Sequence, residues 1–574
     1  MSYRDRPWLK SYKLGPYPLK PSLAPYPQEP VFKALDRAAE QYPGQTAVLC
    51  GERSINYRQL RSRVDRLAAA LAGLGVGHGD RVCLFLPNCT EFIISDWAIL
   101  KAGAAVVPTS VLRTEEGLLH EVGSSGSKVI ICTEPDLERV LAVKARCDVE
   151  HVVVTSAAGY DVEQVSTPLP SGVDEFRALL DSHDAAPPQV EIDPAEDLCE
   201  LAFTGGATGV PKGVMVTHAN RYACIRQGLP WILEPILRGF VGKASVLVAI
   251  PLFHAYGHYV QQTAAQLAVR VILLPDPRDT DTLVDLVKTY RPFLIPVVPT
   301  QLMRLAESDL SRMNVLPMSG SAPLPLEVAQ AIKAKLGMPV SQAYGLTETS
   351  PLTHFNISAF SKITGFMLKE KVGIGIPAPD TECRLLDEDG RDVPFGDAGE
   401  IVVRGPQVMK GYWPEPGSGL DEEGWLHTGD IGVMDDDGYF HLVDRSKDMV
   451  NVSGLKVYTT HVDEVLYRHP AVLAAAAFGV PDPSRPGSER VVAAVQLKHG
   501  HKGKVTADEI QAFCREHLAP YEVPRYVFFR QEMPLTVTEK IFKRALRDEI
   551  RAQLEGGAES QGLEERGLSE EEAK

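Results

Sequence analysis

The sequence contains no closely spaced cysteine pair and no hydrophobic run long enough to cross a membrane. Its nine cysteines are scattered along 574 residues, and the closest two, Cys83 and Cys89, are six positions apart. This spacing excludes a Cys-x-x-Cys motif and is typical of buried thiols in a reducing compartment. Every uninterrupted apolar run is shorter than the roughly 20 residues that a membrane-spanning helix needs. Residues 1–17 are rich in charge and proline, which argues against a signal peptide.

Basic residues are scarce relative to acidic ones, with 59 Lys and Arg against 75 Asp and Glu and a net charge of −16. Part of this excess lies in residues 555–574, where seven Glu face two basic residues. Such a chain lacks the dense basic face that nucleic-acid binding needs. We therefore expect a soluble, cytoplasmic protein with no nucleic-acid partner and no transmembrane segment, and we leave peripheral membrane contact and oligomer formation open.

Short apolar runs separated by helix-length segments predict an α/β protein with largely parallel sheets. Residues 56–76 place apolar side chains at steps of three and four, as in an amphipathic helix. Six later runs are short, and most are bounded by Pro or Gly, which favours buried strands over buried helix fragments. They are residues 81–87, 129–132, 151–155, 245–253, 269–275 and 293–299.

The pattern changes after about residue 398, where further runs predict strands of a smaller α+β unit. These runs are residues 399–404, 438–443 and 491–497. The polar stretch 444–448 is short enough to act as a hinge. We therefore predict a large ATP- and acid-binding domain over residues 1–445 and a small mobile lid domain over residues 446–550. Residues 551–574 are rich in Glu, Gly and Ser and predict a disordered acidic tail.

A glycine-rich segment, TGGATGVPKG, directly follows the apolar residues 201–203. Its glycines let backbone N–H groups approach a polyphosphate closely, and Lys212 supplies a compact positive charge. It is not a Walker A loop, because Pro211 precedes the lysine and Gly213 follows it. On these residues alone an ordinary glycine-rich turn stays an alternative. The candidate phosphate-binding residues are Thr204, Gly205, Gly206, Thr208, Gly209 and Lys212.

Four segments, in the same order, resemble the AMP-forming acyl-adenylating superfamily, which includes acyl-CoA synthetases, firefly-type luciferases and peptide-synthetase adenylation domains. They are residues 204–213, 344–349, 425–430 with 444–448, and 534–544. The resemblance spans about residues 30–550 and is strongest to the fatty acyl-CoA synthetase branch. It implies a large acyl-adenylating domain with mainly parallel sheets, followed by a small mobile α+β domain.

The resemblance also implies a binding site for ATP and its AMP product. Tyr344, followed by Gly345, is expected to stack on adenine, Thr347 to contact the α-phosphate and Glu348 to hold Mg²⁺. A carboxylate beside phosphate oxygens suits this hard cation, although Glu348 taken alone reads as a solvated acid. Three further residues resemble the end of a strand in the adenine pocket, for which a turn that starts a helix is nearly as good an interpretation. They are Gly320, Ser321 and Ala322.

The third segment implies that Asp430 binds the ribose hydroxyls and that Arg445 lies beside them or beside the phosphate. Lys447 falls at the hinge position of the superfamily. Gly454 and Lys456 resemble the loop that admits CoA when the small domain turns. For each of these residues, the alternative is an ordinary surface position.

The fourth segment makes Lys540 the catalytic lysine by resemblance, acting together with Thr347 and Glu348. Here Glu539 stands where the superfamily usually has glycine. His254 is expected to line the acyl pocket, with a core histidine as an equally good interpretation.

The function implied is ATP-dependent activation of a carboxylic acid to acyl-AMP, followed by transfer to CoA with release of AMP and pyrophosphate. We expect a medium- or long-chain fatty acid as the substrate. The alternatives are an aryl or other acid, a carrier-protein thiol or oxygen as acceptor, or a binding protein that has lost catalysis. A serine hydrolase is set aside, because the sequence has no Gly-x-Ser-x-Gly elbow.

Overall fold

The structure is a computed structural model that describes residues 2–166, 168–205, 211–366, 369–536 and 538–555. Over these residues the chain forms a large α/β unit followed by a smaller α+β unit. The predicted fold class is confirmed. Within the described part of the chain, no helix combines the length and the apolar character needed to cross a bilayer.

Two nine-stranded sheets form the centre of the large unit, and most of their strands are parallel. The first sheet contains, in spatial order, Glu415–Pro416, Gly411–Tyr412, Pro211–Thr217, Leu198–Gly205, Ala105–Pro108, Arg81–Phe85, Val129–Thr133, His151–Thr155 and Val173–Glu175. Its last six strands run parallel, and the first three pair antiparallel at one edge. The inner strands are buried along most of their length, which explains their nearly continuous apolar sequences.

The second sheet repeats this arrangement. Its spatial order is Ile376–Pro377, His354–Phe355, Ser341–Tyr344, Leu316–Ser319, Leu294–Val297, Ser245–Val248, Arg270–Leu273, Thr46–Cys50 and Arg53–Asn56. The six strands from Ser341–Tyr344 to Thr46–Cys50 are parallel. Because Ser341–Tyr344 and Leu316–Ser319 are neighbours, the residues that follow them leave the sheet at the same edge.

The remaining strands form smaller antiparallel and mixed sheets. A four-stranded antiparallel sheet contains Glu382–Leu386, Gly399–Arg404, Leu426–Met434 and Phe440–Arg445. The small unit contains a hairpin of Val450–Val452 and Leu455–Val457, and a three-stranded sheet of Val472–Pro481, Glu489–Leu497 and Tyr526–Arg530. A two-stranded ribbon, Lys13–Leu14 with Tyr17–Pro18, lies near the amino terminus. The three runs predicted after residue 398 are therefore strands of two different sheets.

Helices connect the parallel strands and cover the sheets. The α-helices of the described residues are Lys33–Gln41, Tyr57–Gly73, Thr90–Lys101, Glu115–Ser125, Leu137–Lys144, Phe176–Ser182, His218–Gln227, Leu229–Ile232, Ala255–Gln266, Thr280–Tyr290, Pro299–Glu307, Leu326–Leu336, Thr459–Arg468, Ala507–His517 and Lys543–Glu555. Short 3-10 helices include Tyr3–Asp5, Pro7–Ser11, Glu134–Asp136, Glu234–Gly239, Thr347–Thr349, Ile357–Thr364 and His499–His501. The helix Tyr57–Gly73 begins with a capping box, since Asn56 and Gln59 each accept the other's backbone N–H.

One buried hydrophobic cluster is shared by the two units. It contains Val287 and Leu302 of the large unit together with Val465 and Phe478 of the small unit. The two units therefore pack against each other through apolar side chains as well as through polar contacts.

The predicted hinge stretch, residues 444–448, begins in the last two residues of the strand Phe440–Arg445 and continues into the turn before the hairpin of the small unit. The predicted boundary between residues 445 and 446 therefore falls at the end of that strand. The last helix runs through residues 551–555, which the domain prediction assigned to the tail. The rest of the predicted tail, residues 556–574, lies outside the described residues.

Candidate active site

Three of the predicted segments lie at the carboxyl ends of strands. Thr204 and Gly205 end the strand Leu198–Gly205, and Tyr344 ends the strand Ser341–Tyr344. Gly320, Ser321 and Ala322 directly follow the strand Leu316–Ser319. In open α/β sheets, ligands bind in crevices at this edge. Gly206, Thr208 and Gly209 lie outside the described residues.

Lys212 and Glu348 are brought together by Tyr412. The Lys212 ammonium lies 5.1 Å from the centre of the Tyr412 ring. The Tyr412 hydroxyl donates a hydrogen bond to Glu348 Oε1 over 2.8 Å. The sequence did not indicate that Tyr412 belongs to the site. Its position beside Lys212 and Glu348 results from the pairing of its strand with Pro211–Thr217. The cation of the glycine-rich segment and the predicted metal-binding carboxylate are thus parts of one cluster.

Thr347 and Glu348 lie in the short 3-10 helix Thr347–Thr349, immediately after the turn at Gly345. A Cβ on residue 345 would lie 1.9 Å from the Pro351 carbonyl oxygen, so the turn tolerates only glycine. This close approach places Glu348 just beyond the end of its strand.

Asp430 is the centre of a second polar cluster. It is 4% exposed, accepts a hydrogen bond from the Tyr344 hydroxyl over 2.8 Å, and accepts another from Arg445 Nε over 2.9 Å. Asp430 and Arg445 are also directly opposite in the antiparallel register of their strands. Burial and the charge of Asp430 raise the pKa of Tyr344 well above its usual value, which keeps the phenol a donor.

Lys540 enters this cluster from the small unit. Burial, with smaller contributions from the charges of Arg445 and Lys447, lowers the pKa of Lys540 to about 8, and the charge of Asp430 opposes the shift. Burial and the charge of Lys540 lower the pKa of His254 to about 3, so His254 stays neutral at neutral pH. The structure therefore brings Tyr344, Asp430, Arg445, His254 and Lys540 into one site.

His254 has a structural role as well. Its Nδ1 accepts a hydrogen bond from the Tyr256 N–H over 3.3 Å and so caps the helix Ala255–Gln266. Tyr256 in turn donates to the Met318 carbonyl over 2.9 Å, beside Gly320. His254 thus connects the start of this helix to the strand end at Gly320.

The residues predicted to form the hinge and the access route for CoA lie at the surface. Lys447 is exposed in the turn between the strand Phe440–Arg445 and the small unit. Gly454 is at the tip of the first hairpin of that unit, with a φ of +89°. Lys456 follows it and pairs with Glu388 at the surface.

A buried ion-pair network connects the glycine-rich segment to the segment that carries Glu348. Arg221 pairs with Glu200 of the strand Leu198–Gly205 and donates to the Ser350 carbonyl over 2.9 Å. His258 Nδ1 lies 3.2 Å from the other oxygen of Glu200. Sequence reasoning missed this network, because an arginine on a helix usually indicates a surface position.

A family model described as "AMP-binding enzyme" matches residues 35–413, more than half of the chain. The chain belongs to the AMP-binding enzyme family. A second model, described as "AMP-binding enzyme C-terminal domain", matches residues 461–540 and includes Lys540. The recognition made from sequence is therefore confirmed.

Curated relatives of this AMP-binding enzyme cover nearly its whole length. The long-chain-fatty-acid–CoA ligase of Bacillus subtilis (strain 168) is 34% identical over 580 residues, covering 95% of this chain and 98% of the relative. The feruloyl-CoA synthase of an Amycolatopsis species is also 34% identical, covering 89% and 97%. Fatty-acid and aryl-acid ligases thus both occur among the relatives.

Solved structures share the fold of this AMP-binding enzyme. ATP-bound MatB from Rhodopseudomonas palustris superimposes with a TM-score of 0.79 at 26% identity, covering 91% of this chain and 99% of that one. The anthranilate CoA ligase AuaEII, in complex with anthranoyl-AMP, gives a TM-score of 0.80 at 24% identity, covering 94% and 100%.

The donor set of this AMP-binding enzyme fits Mg²⁺. In the described ranges there is no group of three or more His, Cys, Asp or Glu side chains that could hold a metal ion. Mg²⁺ is typically held by one or two carboxylates together with water and substrate phosphates. Glu348 supplies such a carboxylate, close to the cationic Lys212.

The lowered pKa of Lys540 predicts how adenylation by this AMP-binding enzyme depends on pH. As the pH rises through about 8, the free enzyme loses the Lys540 charge. We therefore expect kcat/KM for ATP to be flat below pH 8 and to fall about tenfold per pH unit above it. Lys540→Arg stays charged and should lack this break at whatever activity it retains. A flat wild-type profile between pH 7 and 9.5 would contradict the assignment.

Proposed function

We propose that this protein activates a carboxylic acid with ATP to form acyl-AMP and pyrophosphate, and then transfers the acyl group to CoA with release of AMP. The observation that carries the proposal is the position of Lys540. Lys540 of the small unit is near enough to Asp430 and Arg445 of the large unit for their charges to shift its pKa. Asp430 also accepts the hydrogen bonds of Tyr344 and Arg445. A cation that a second unit contributes to a candidate nucleotide site supports an adenylating reaction.

In the first half-reaction, the carboxylate oxygen attacks the α-phosphorus of ATP and the bond to pyrophosphate breaks. A carboxylic acid has a pKa of about 4 and is ionised at neutral pH, so no general base is needed. The barrier comes from bringing two anions together. Lys540 would stabilise negative charge at the α-phosphate, and Lys212 would stabilise the departing pyrophosphate. Thr347 is proposed to orient the α-phosphate.

Glu348 would hold Mg²⁺, whose chemistry when bound is to neutralise charge on the phosphate oxygens. The Tyr412 hydroxyl fixes the Glu348 carboxylate through Oε1. Asp430 would accept from the ribose hydroxyls in addition to the bond from Arg445. The adenine pocket would be lined by Gly320, Ser321 and Ala322, together with Tyr344 and Gly345.

In the second half-reaction, the thiol of CoA attacks the acyl carbonyl of acyl-AMP, and AMP leaves. We infer that the small unit turns about Lys447 between the two steps, removing Lys540 from the site. Such hinge closure typically uses a few residues at the end of an element. Gly454 and Lys456, on the exposed hairpin, would then line the access route for CoA.

An apolar cavity between the helix Ala255–Gln266 and the second sheet supports the proposal that the substrate acid has an aliphatic chain. Its lining is almost entirely apolar and runs from Met318, beside the nucleotide residues, to Ser245 and Leu294 at the amino ends of their strands. Its free volume is about 30 Å³. An acyl chain therefore enters only when wall residues move. The Phe240 and Phe293 rings, 4.5 Å apart, lie among the partly buried wall residues.

Filling this cavity should shorten the preferred acid. Ala264 lines the cavity and is 2% exposed, so Ala264→Leu adds three carbons to its wall. We expect kcat/KM for the longest accepted acid to fall at least about tenfold relative to a shorter one, because one methylene in an apolar pocket is worth about 1–3 kcal/mol. The measurement is pyrophosphate release across acids of increasing chain length.

Ala265→Leu is the matched control for this prediction. It adds the same atoms at the next residue of the helix, which is also buried but does not line the cavity. If both variants shift the preferred acid length, or if neither does, the acyl chain does not bind in this cavity.

The proposed function is tested by pyrophosphate release with short, medium, long and aromatic acids, with and without CoA. We expect the highest kcat/KM for a medium- or long-chain fatty acid and acyl-CoA formation only when CoA is present. Higher activity with an aromatic acid would favour the aryl-acid alternative. Release of pyrophosphate without acyl transfer to CoA would favour another acceptor, and no release with any acid would overturn the proposal.

A further inference from the structure

The loop that carries Lys540 is held together by its own hydrogen bonds. The Thr536 N–H donates to the Lys540 carbonyl over 2.7 Å, and the Glu539 N–H donates to the Thr536 carbonyl over 3.0 Å. The Lys540 N–H donates to the Thr536 hydroxyl over 3.2 Å. The backbone of Lys540 therefore moves with this loop, and any contact that fixes the loop also fixes the lysine.

Glu539 occupies this loop in a conformation that suits glycine better. Its φ is +60°, in the left-handed region where a Cβ is unfavourable. The superfamily pattern has glycine at this position, whereas this chain has a charged side chain. That side chain is nearly buried, with 7% of its surface exposed. A strained residue of this kind persists when the surrounding contacts offset the strain.

Both the backbone and the side chain of Glu539 are bonded to one helix of the large unit. Thr300 Oγ1 donates to the Glu539 carbonyl over 2.5 Å, and Arg304 Nη2 donates to Glu539 Oε2 over 3.0 Å. Thr300 and Arg304 are four residues apart on the helix Pro299–Glu307 and therefore share a face. Glycine at position 539 would retain the carbonyl bond and lose the ion pair. The carboxylate thus adds a charged contact between the two units, next to Lys540 in the chain.

We propose that Glu539 is a positioning residue for Lys540, and that its ion pair with Arg304 holds the loop in the arrangement that brings Lys540 to Asp430. The inference rests on the function proposed above, because it separates the two half-reactions of that site. When the small unit turns away, Glu539 and Arg304 part. The pair therefore favours the adenylating arrangement over the thioester-forming one.

Glu539→Gly tests this proposal because it removes the carboxylate and relieves the strained backbone together. We expect kcat for acyl-adenylate formation to fall about tenfold, the size typical of losing a half-buried charge pair between two surfaces. Thioester formation from supplied acyl-AMP and CoA should stay within about twofold of wild type, because that step does not use the docked loop. The thermal unfolding midpoint should not fall, since glycine suits this φ.

Arg304→Gln should reproduce this division between the half-reactions, and Glu539→Gln should do so without any change in backbone preference. The double variant with Glu539→Gln and Arg304→Gln should lose no more adenylation than either single variant, because both changes remove the same interaction. Glu327→Gln is the matched control. It breaks the contact of 3.6 Å between Glu327 and Arg468, which also joins the two units but lies away from the loop.

Equal loss of both half-reactions in the Glu539 variants would indicate a structural role and overturn the assignment. Additive losses in the double variant, unchanged adenylation in Glu539→Gly, or the same division in Glu327→Gln would overturn it as well. Pyrophosphate release by the wild-type enzyme distinguishes failure of this inference from failure of the proposed function. If wild type releases no pyrophosphate with any acid, the proposed function fails. If wild type is active and the variants behave like it, only the positioning role fails.

Discussion

Replacing Lys540 with alanine is expected to lower the rate of acyl-adenylate formation by about 10²-fold or more, the size typical of losing one preorganised charge-stabilising donor. The reason is electrostatic. The small unit contributes the Lys540 ammonium within electrostatic range of Asp430 and Arg445. In the proposed mechanism, negative charge develops there at the α-phosphate. The effect should be measured as pyrophosphate release at saturating ATP and acid. Thioester formation from supplied acyl-AMP should decline much less, because the proposed rotation removes the lysine from the site before that step.

Lys543→Gln provides the control for this experiment. Lys543 lies three residues beyond Lys540, but its ammonium is bonded to Thr459 and Asp463 within the small unit. Its loss should lower the thermal unfolding midpoint while adenylation is retained at temperatures where the variant is folded. Equal damage to both half-reactions in Lys540→Ala would show that the role of Lys540 has been assigned wrongly.

Glu348→Gln is expected to lower adenylation by a comparable factor. Removing the carboxylate charge weakens the proposed Mg²⁺ site, and metal stabilisation of phosphate charge is worth several kcal/mol, which corresponds to about 10²-fold or more in rate. The amide keeps the size of the side chain, so the fold should be unaffected. A titration of activity against Mg²⁺ should show a higher half-saturating concentration and partial recovery at high Mg²⁺.

Tyr412→Phe separates the metal role of Glu348 from its packing. This variant removes the hydroxyl that donates to Glu348 Oε1 but leaves the carboxylate and the ring beneath Lys212 in place. We expect an effect smaller than that of Glu348→Gln, with the Mg²⁺ dependence moved in the same direction. An unchanged Mg²⁺ dependence in Glu348→Gln would remove Glu348 from the metal site.

The strands of the large unit could be predicted from sequence because they are buried on both faces. The runs at 129–132 and 151–155 agree with the strands Val129–Thr133 and His151–Thr155 to within a residue. Boundaries were less accurate where apolar residues continue past the strand. The run at 245–253 is an example, since its strand ends at Val248 and the next residues lead to His254. Periodicity does not show where an apolar segment leaves the sheet.

The candidate site could be predicted only in part. Motifs indicated Lys212, Glu348, Asp430 and Lys540, because each lies in a short segment with a recognisable pattern. They did not indicate Tyr412, whose role depends on a partner 64 residues away in sequence. The pairs Arg221 with Glu200 and Arg304 with Glu539 were missed for the same reason. Side-chain pairs between distant elements depend on packing, which leaves no local pattern.

The division of the site between two units has a consequence for how ATP is protected. The large unit supplies Thr204, Lys212 and Glu348, whereas Lys540 arrives with the small unit. In the proposed mechanism, nucleotide held by the large unit alone lacks the charge that makes its α-phosphate reactive. Closure supplies this charge and expels bulk water in one movement. In this mechanism, hydrolysis of ATP without acid activation would be suppressed, because the nucleotide would become electrophilic only where an organic acid, rather than water, is the nearest nucleophile.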